Sequence, residues 1–283
     1  MFLFINGVQQ RCGVYQYGKR LFQHLNDKFI YIELGSREEY NQYMEGKSFE
    51  ACILNYHPSL FYWWESTIPT FYLYHEGSLN IDKKYILDTD PTSVIGIPRP
   101  LYRGSFHRHD FSSPSFGSFG FGFSDKGFEK IVKLVHEQYD VATIRLLIPY
   151  AYYGDNDGNQ AKSVVNRCKQ LIKKPNIKLY VMHDFLPDEY VVSFLASNDL
   201  NIFLYDHMPW RGCSSVIDYA LVAKKPIAIS DSVMFRHIYS DSICAYKRPL
   251  KDIIADGTTH IDQYVEKWSS DAICNTILQR IIG

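Results

Sequence analysis

Short apolar runs and amphipathic segments take turns along the first hundred residues of the chain. Apolar runs of strand length predict β-strands at residues 2–6, 29–34, 51–55 and 70–75, with the sequences FLFIN, FIYIEL, ACILN and TFYLYH. Between the first two runs, residues 14–25 carry apolar side chains at helical spacing after a glycine-containing turn. Strands that alternate with helices favour a parallel sheet with helices on both faces.

The same alternation starts again after a segment rich in Pro, Ser, Gly and Phe, which predicts a domain boundary near residue 105. The predicted strands beyond it are 116–122, 143–150, 176–183, 200–206 and 226–230. The predicted helices are 126–139, 161–174, 187–198, 214–223 and 260–282. We therefore expect an α/β protein of two doubly wound, Rossmann-like domains, with a ligand bound between them at the carboxyl ends of the strands.

These elements divide the chain into three parts. Residues 1–104 form the predicted N-terminal domain, and residues 105–259 form the second domain. Residues 260–283 form a C-terminal helix that can pack back on the N-terminal domain.

The amino-acid composition limits the classes of function that can be expected. Among 283 residues, 46% are apolar, which is enough for two cores, and 30 basic residues face 31 acidic ones. No basic stripe is available to neutralise phosphates, so nucleic acid is not an expected partner. The six cysteines are scattered without a CxxC pair, which indicates reduced thiols in a cytoplasmic protein. The apolar start of the chain is too short for a signal peptide or a transmembrane segment.

The stretch WRGCSSVIDYALVAKKPIAISDS, residues 210–232, has the composition of an anion-binding turn between a strand and a helix. The free N–H groups and dipole of a helix N-terminus suit a diphosphate, and Gly212 would allow close approach. Cys213, Ser214 and Ser215 complete this turn, and Asp218 lies one turn further on, where it could accept hydrogen bonds from a ribose. In the simpler alternative, Ser214 caps the helix and Asp218 interacts with its dipole.

The run from IFLYD through KKPIAISDS resembles the donor-binding segment of the two-domain GT-B fold glycosyltransferases, in the large retaining group that includes sucrose and glycogen synthases. Asp218 falls on the second of two acids in that segment. The first acid would fall at Trp210 and is absent. The resemblance implies two domains facing a central cleft, and transfer of a hexosyl or deoxyhexosyl group from a nucleotide sugar to a hydroxyl of a glycan or other acceptor, with retention.

Other segments are similar to the same group. The resemblance places Lys126 on the donor diphosphate and His75 near the transferred sugar. Arg211, chosen from its charge alone, could replace a phosphate-binding arginine of the family. We therefore expect His75 and Arg211 to take part in catalysis. The nucleobase-side candidates are His183, Phe185 and Leu186, and the acceptor-side candidates are Gly13 and Tyr15.

Two pairs of acids could suggest a divalent metal, namely Asp88 with Asp90 and Asp155 with Asp157. GDNDG is better interpreted as a solvated turn, and LDTDPTS as a strand end followed by a turn. We therefore expect no metal and no cofactor, with the nucleotide sugar as donor substrate.

Alternatives remain open at this point. The chain could be a nucleotide-sugar epimerase, or a degenerate glycosyltransferase that serves as a sugar- or protein-binding module. An inverting enzyme would need a base such as His75. The hypothesis of a dehydrogenase has less support, because the segment GVQQRCG after the first strand lacks the GxGxxG motif. The sequence leaves the donor, the acceptor and the oligomeric state open.

Overall fold

The computed structural model describes residues 1–77, 80–111 and 113–283, and these form two compact units. The first unit comprises Met1–Leu101, Trp210–Cys213 and Lys267–Gly283. The second unit comprises Tyr102–Pro209 and Ser214–Glu266. Within the described ranges, no helix combines the length and apolar character needed to cross a membrane.

The described residues of the first unit form a five-stranded parallel sheet. Its strands are β1 (Phe2–Asn6), β2 (Phe29–Glu33), β3 (Ala51–Leu54), β4 (Thr70–Tyr74) and β5 (Ile86–Asp88), in the order β2-β1-β3-β4-β5. Its helices are α1 (Gly13–Phe22) and α2 (Arg37–Met44), with α9 (Ser270–Ile282) from the end of the chain. Every residue of β1 and β3 is buried, as expected for central strands covered on both faces.

Alternate residues of these strands face two separate cores. Phe4 and Ile53 pack in one core together with Ile273 and Ile277 of α9, whereas Leu3 lies in the other. The last helix therefore supplies part of the hydrophobic core of the first unit.

The second unit repeats the architecture with a different strand order. Its strands are β6 (Ser115–Phe119), β7 (Ala142–Leu147), β8 (Ile177–Met182), β9 (Leu200–Phe203) and β10 (Ile227–Ile229), in the order β10-β9-β6-β7-β8. Its helices are α3 (Phe128–Gln138), α4 (Asn159–Leu171), α5 (Asp188–Ala196), α6 (Val216–Val222), α7 (Leu250–Asp256) and α8 (Asp262–Lys267, which ends at the border of the unit). All pairings between neighbouring strands are parallel, which confirms the predicted doubly wound class.

The prediction from sequence did not include α2 and α7, and it joined α8 and α9 into one helix. Only Tyr40 of α2 is buried, so that helix carries little apolar periodicity, and α7 is seven residues long. Ser269 separates α8 from α9, because its side chain accepts a hydrogen bond from the N–H of Ala272 and caps the start of α9.

Candidate functional site

The strand orders fix where a ligand site can form in each unit. In a doubly wound sheet the crevice lies at the carboxyl ends of the two strands where the winding reverses. That point lies between β1 and β3 in the first unit and between β6 and β9 in the second. The described sheet of each unit therefore has its own such edge.

Two buried asparagines occupy this point in the first unit. Asn6 ends β1 and Asn55 directly follows β3, and neither has exposed surface. The Asn55 Nδ2 group donates to Asn6 Oδ1 at 2.8 Å and to the Val14 carbonyl at 2.7 Å. Asn6 Nδ2 donates to the Tyr15 carbonyl at 3.0 Å. The asparagines thereby fix the first turn of α1 to the end of the sheet.

His75 follows β4 and contacts this pair. Its Nε2 lies 2.7 Å from Asn55 Oδ1, and its ring meets the Tyr17 ring edge-on with 5.0 Å between centroids. Burial, followed by the charge of Arg99 and the neighbouring His57, lowers the pKa of His75 to about 3. The imidazole is therefore neutral at physiological pH, and it is a weak base.

Glu76 comes next in the chain and holds residues 211 and 212. Arg211 Nη1 lies 3.0 Å from Glu76 Oε1, in a partly exposed ion pair. A Cβ atom on Gly212 would lie 2.0 Å from the carbonyl oxygen of His75, so a side chain cannot fit there without a backbone shift. The close approach of the His75 carbonyl is therefore one reason for a glycine at position 212. The interpretation of the sequence attributed this glycine to a bound phosphate.

The two acceptor-side candidates lie in different surroundings. Gly13 is exposed at the first position of α1, and a Cβ atom there would meet nothing within 4 Å. Tyr15 is buried, and its hydroxyl donates to Glu33 at 2.6 Å. Burial and this carboxylate raise the pKa of Tyr15 to about 12. Gly13 faces open space, whereas Tyr15 has a structural partner.

In the second unit, Lys126 lies between the ends of β6 and β9. Its side chain is only 9% exposed, its Nζ lies 3.2 Å from Asp125, and it lies 4.3 Å from the centroid of the Tyr205 ring. Gly127 makes this placement possible, because it has φ of +67° and any Cβ would lie 2.0 Å from the Leu204 carbonyl oxygen. A nearly buried ammonium at a switch point is suited to an anion.

The turn that leads into α6 is already engaged within the protein. The N–H of Ser214 donates to the Met234 carbonyl at 2.9 Å, and Ser215 is the N-cap residue of α6 without a side-chain capping bond. Asp218, in the first turn of α6, is fully buried. Cys213 is partly exposed and belongs to the first unit with Arg211 and Gly212, so the predicted cradle is divided between the two units.

The nucleobase-side candidates lie along the carboxyl ends of β6, β7 and β8. His183 Nδ1 lies 2.8 Å from the Ile148 carbonyl, and its ring is 5.0 Å from that of Tyr150. Phe185 is stacked on Phe121 with 6.4 Å between centroids. Leu186, next in the chain, is partly exposed, as are all four rings. They form an aromatic edge on which a flat base can stack.

The acidic pairs bind backbone groups of the protein itself. Asp155 is buried and accepts the N–H groups of Gln160 and Ala161 at 2.7 and 2.9 Å, so it caps α4. The prediction of a solvated turn was therefore wrong for Asp155. Asp88 accepts the N–H of Asp90 at 2.9 Å, just after β5, which agrees with a strand end and turn. Among the described residues, no three His, Cys, Asp or Glu side chains are grouped to hold a metal ion.

Sequence reasoning missed Asn6, Asn55, Glu76 and Tyr205. One signal was available for the asparagines, because FLFIN and ACILN both end an apolar run with Asn. A polar residue at the end of a central strand lies at the edge where ligands bind. Glu76 had no such signal, since its partner Arg211 is 135 positions away in sequence.

Comparison with known proteins places this architecture among glycosyltransferase structures. AviGT4, a glycosyltransferase involved in avilamycin A biosynthesis, has a TM-score of 0.65 and 12% identity, covering 99% of this chain and 96% of its own. Anabaena HepE, solved in complex with UDP and glucose, has a TM-score of 0.65 and 9% identity, covering 99% of both chains. A glycosyltransferase of Rickettsia africae has a TM-score of 0.62 and 9% identity, covering 99% and 97%.

At these identities the likeness establishes the fold: the chain has the GT-B fold, as the sequence predicted. No protein-family model matches the sequence. No curated protein matches it either.

Proposed function

We propose that this protein is a glycosyltransferase that moves a hexosyl or deoxyhexosyl group from a nucleotide-diphosphate sugar to a hydroxyl of a glycan or other acceptor. The observation that carries the proposal is the position of Lys126, a nearly buried cation at the switch point of a Rossmann-like sheet. It follows the same strand, β6, as Phe121, whose ring stacks on Phe185. A nucleoside diphosphate has both matching parts, a flat base and an anionic diphosphate. The shared fold with AviGT4 and HepE supports the assignment.

Each unit would contribute a different part of the reaction. The second unit binds the nucleotide, and Lys126 stabilises the negative charge that develops on the leaving diphosphate. In the first unit, His75 and Arg211 are the candidates for catalysis, and Gly13, where a Cβ atom would meet nothing within 4 Å, is a candidate for the acceptor side. Because HepE was solved with UDP and glucose, uridine is the first base to test and glucose the first sugar.

The stereochemical outcome we propose is retention. Inversion requires a general base whose pKa lies near the working pH, and the pKa of His75 is lowered to about 3. Such an imidazole cannot take up a proton from an acceptor hydroxyl efficiently. We also propose that no divalent metal is needed, and that the protein acts in the cytoplasm, since all six cysteines are free.

The first experiment is calorimetric titration with UDP, GDP, dTDP and CMP, using the wild type, Lys126→Ala and a matched control, Lys133→Ala. Lys133 is exposed on α3 near Lys126 in sequence. Binding of one nucleoside diphosphate, weakened at least about tenfold by Lys126→Ala and unchanged by Lys133→Ala, supports the proposal. Equal binding by both variants would remove Lys126 from the site.

The second experiment measures donor consumption with the bound nucleotide's glucose derivative. The reaction is run with an added glycan mixture in excess EDTA, so that product formation tests both sugar transfer and metal independence. The anomeric configuration of the product, determined by NMR, tests retention. Activity that appears only with manganese would overturn metal independence.

A second candidate is a nucleotide-binding module without transferase activity. Trp210 favours it, because an exposed indole stands where the family resemblance expects a carboxylate. This alternative requires tight nucleotide binding with no donor consumption in any acceptor mixture. An epimerase would instead convert donor in the absence of acceptor.

A further inference from the structure

The orientation of both switch-point asparagines in the first unit is fixed by backbone groups. The Val14 carbonyl can only accept, so the atom of Asn55 that lies 2.7 Å from it must be the amide nitrogen. The N–H of Gly7 can only donate, so the atom of Asn6 that lies 3.0 Å from it must be the oxygen. The oxygen of Asn55 must therefore face His75.

This orientation determines the tautomer of His75. Asn55 Oδ1 can only accept a hydrogen bond, and it lies 2.7 Å from Nε2. The proton of the neutral ring must then be on Nε2, which leaves a lone pair on Nδ1. None of the described residues hydrogen-bonds Nδ1, and the atom is not sealed from solvent. The Tyr17 ring, which meets the imidazole edge-on with 5.0 Å between centroids, restricts rotation of the imidazole.

We propose that Asn55, oriented by Asn6 and the first turn of α1, is a positioning residue that holds His75 as the Nε2–H tautomer, so that the Nδ1 lone pair accepts a hydrogen bond from a ligand hydroxyl group. The ligand part rests on the proposed transferase function, in which that hydroxyl belongs to the sugar. The tautomer itself does not depend on any activity.

The tautomer is tested by long-range ¹H–¹⁵N correlation spectra of the whole protein at about pH 8, with His75 assigned by the loss of its signals in His75→Gln. We expect a pyridine-like Nδ1 and a pyrrole-like Nε2. His183 is the internal reference, because its Nδ1 lies 2.8 Å from the Ile148 carbonyl and must carry the proton. A pyrrole-like Nδ1 in His75, or averaged signals, would overturn the proposal.

Two substitutions of Asn55 separate positioning from stability. Asn55→Leu and Asn55→Asp both lose the hydrogen bonds to Asn6 and Val14, but only Asn55→Asp keeps an oxygen that faces His75. We expect both variants to be less stable, and only Asn55→Leu to give averaged His75 signals. Equal tautomer signals in both variants would mean that Asn55 has a structural role alone. If Asn55→Leu does not fold, the wild-type spectrum still decides the tautomer.

The ligand part is tested with UDP-glucose as donor. We expect Asn55→Leu to lower kcat/KM at least about tenfold, whereas Asn55→Asp, which keeps an oxygen that faces His75, lowers it less. Equal kcat/KM values in the two variants would overturn the ligand part. If UDP-glucose does not bind while His75 is the Nε2–H tautomer, the proposed function fails and the positioning role stands.

Discussion

At the scale of single residues, the half-buried ring of His75 makes the stability of the first unit depend on pH in the acid range. The folded-state pKa of about 3 lies below the ordinary value of 6.5, so between these pH values only the unfolded chain binds the proton. The free energy of unfolding should therefore rise with pH across this window, by at most about 1.4 kcal/mol per pH unit for one proton. Well above pH 6.5 the ring is neutral in both states, so His75 no longer makes the free energy of unfolding depend on pH.

We predict that His75→Gln makes the stability of the first unit less dependent on pH between about pH 4 and about pH 6. The measurement is urea unfolding followed by tryptophan fluorescence. All four tryptophans (residues 63, 64, 210 and 268) belong to the first unit, so they report on it alone. His57→Gln is the control for the second histidine with a lowered pKa. An unchanged slope in His75→Gln would show that His75 takes up its proton in the folded state.

Gly212 provides a second test at this scale. We predict that Gly212→Ala destabilises the first unit by about 1–3 kcal/mol, because the new methyl group would overlap the His75 carbonyl oxygen. Gly13→Ala is the matched control, since its Cβ meets nothing within 4 Å. Trp210 lies two positions from Gly212, so its fluorescence is well placed to report the change. Equal stability of the two variants would contradict the close approach.

At the scale of elements, α9 is a core element of the first unit although it ends the chain. Ile277→Ala should destabilise that unit by about 2–5 kcal/mol, because Ile277 has no exposed surface. Ile282→Ala on the same helix should change the stability by no more than about 0.5 kcal/mol, since Ile282 is 65% exposed. Urea unfolding followed by tryptophan fluorescence compares the two variants. Similar small effects would mean that α9 does not contribute to the core.

Most of the strands were predictable because buried parallel strands appear in sequence as short, uninterrupted apolar runs. FLFIN became β1 and ACILN became β3 to within one residue. Gly127 and Gly212 could not be interpreted from sequence, because each serves a carbonyl group far away in the chain. The same holds for the link from Asn55 to His75.

At the scale of the whole molecule, the burial of the six cysteines gives a simple test of the structure. Cys52, Cys168 and Cys244 are buried, whereas Cys12, Cys213 and Cys274 are partly exposed. Burial raises the pKa of Cys52 to about 11 and that of Cys168 to about 12, so their thiolates are scarce near neutral pH.

We predict that a disulfide reagent modifies up to three thiols in the folded protein at about pH 8 and all six in denaturant. Mass mapping should find the folded-state labels on residues 12, 213 and 274. Rapid labelling of Cys52 or Cys168 without unfolding would contradict their burial. If a bound nucleotide protects Cys213 alone from labelling, the nucleotide lies near residues 210–213.

The sequence by itself determined the class of fold, because hydrophobic periodicity is a local property and two successive strand–helix series leave few arrangements other than two doubly wound sheets. It also determined the positions of Lys126 and His75 just beyond strands. Only the tertiary structure decided the hydrogen-bond chemistry of His75. That chemistry follows from hydrogen bonds between residues 6, 14, 55 and 75, which come together because parallel strands end at the same edge of a sheet.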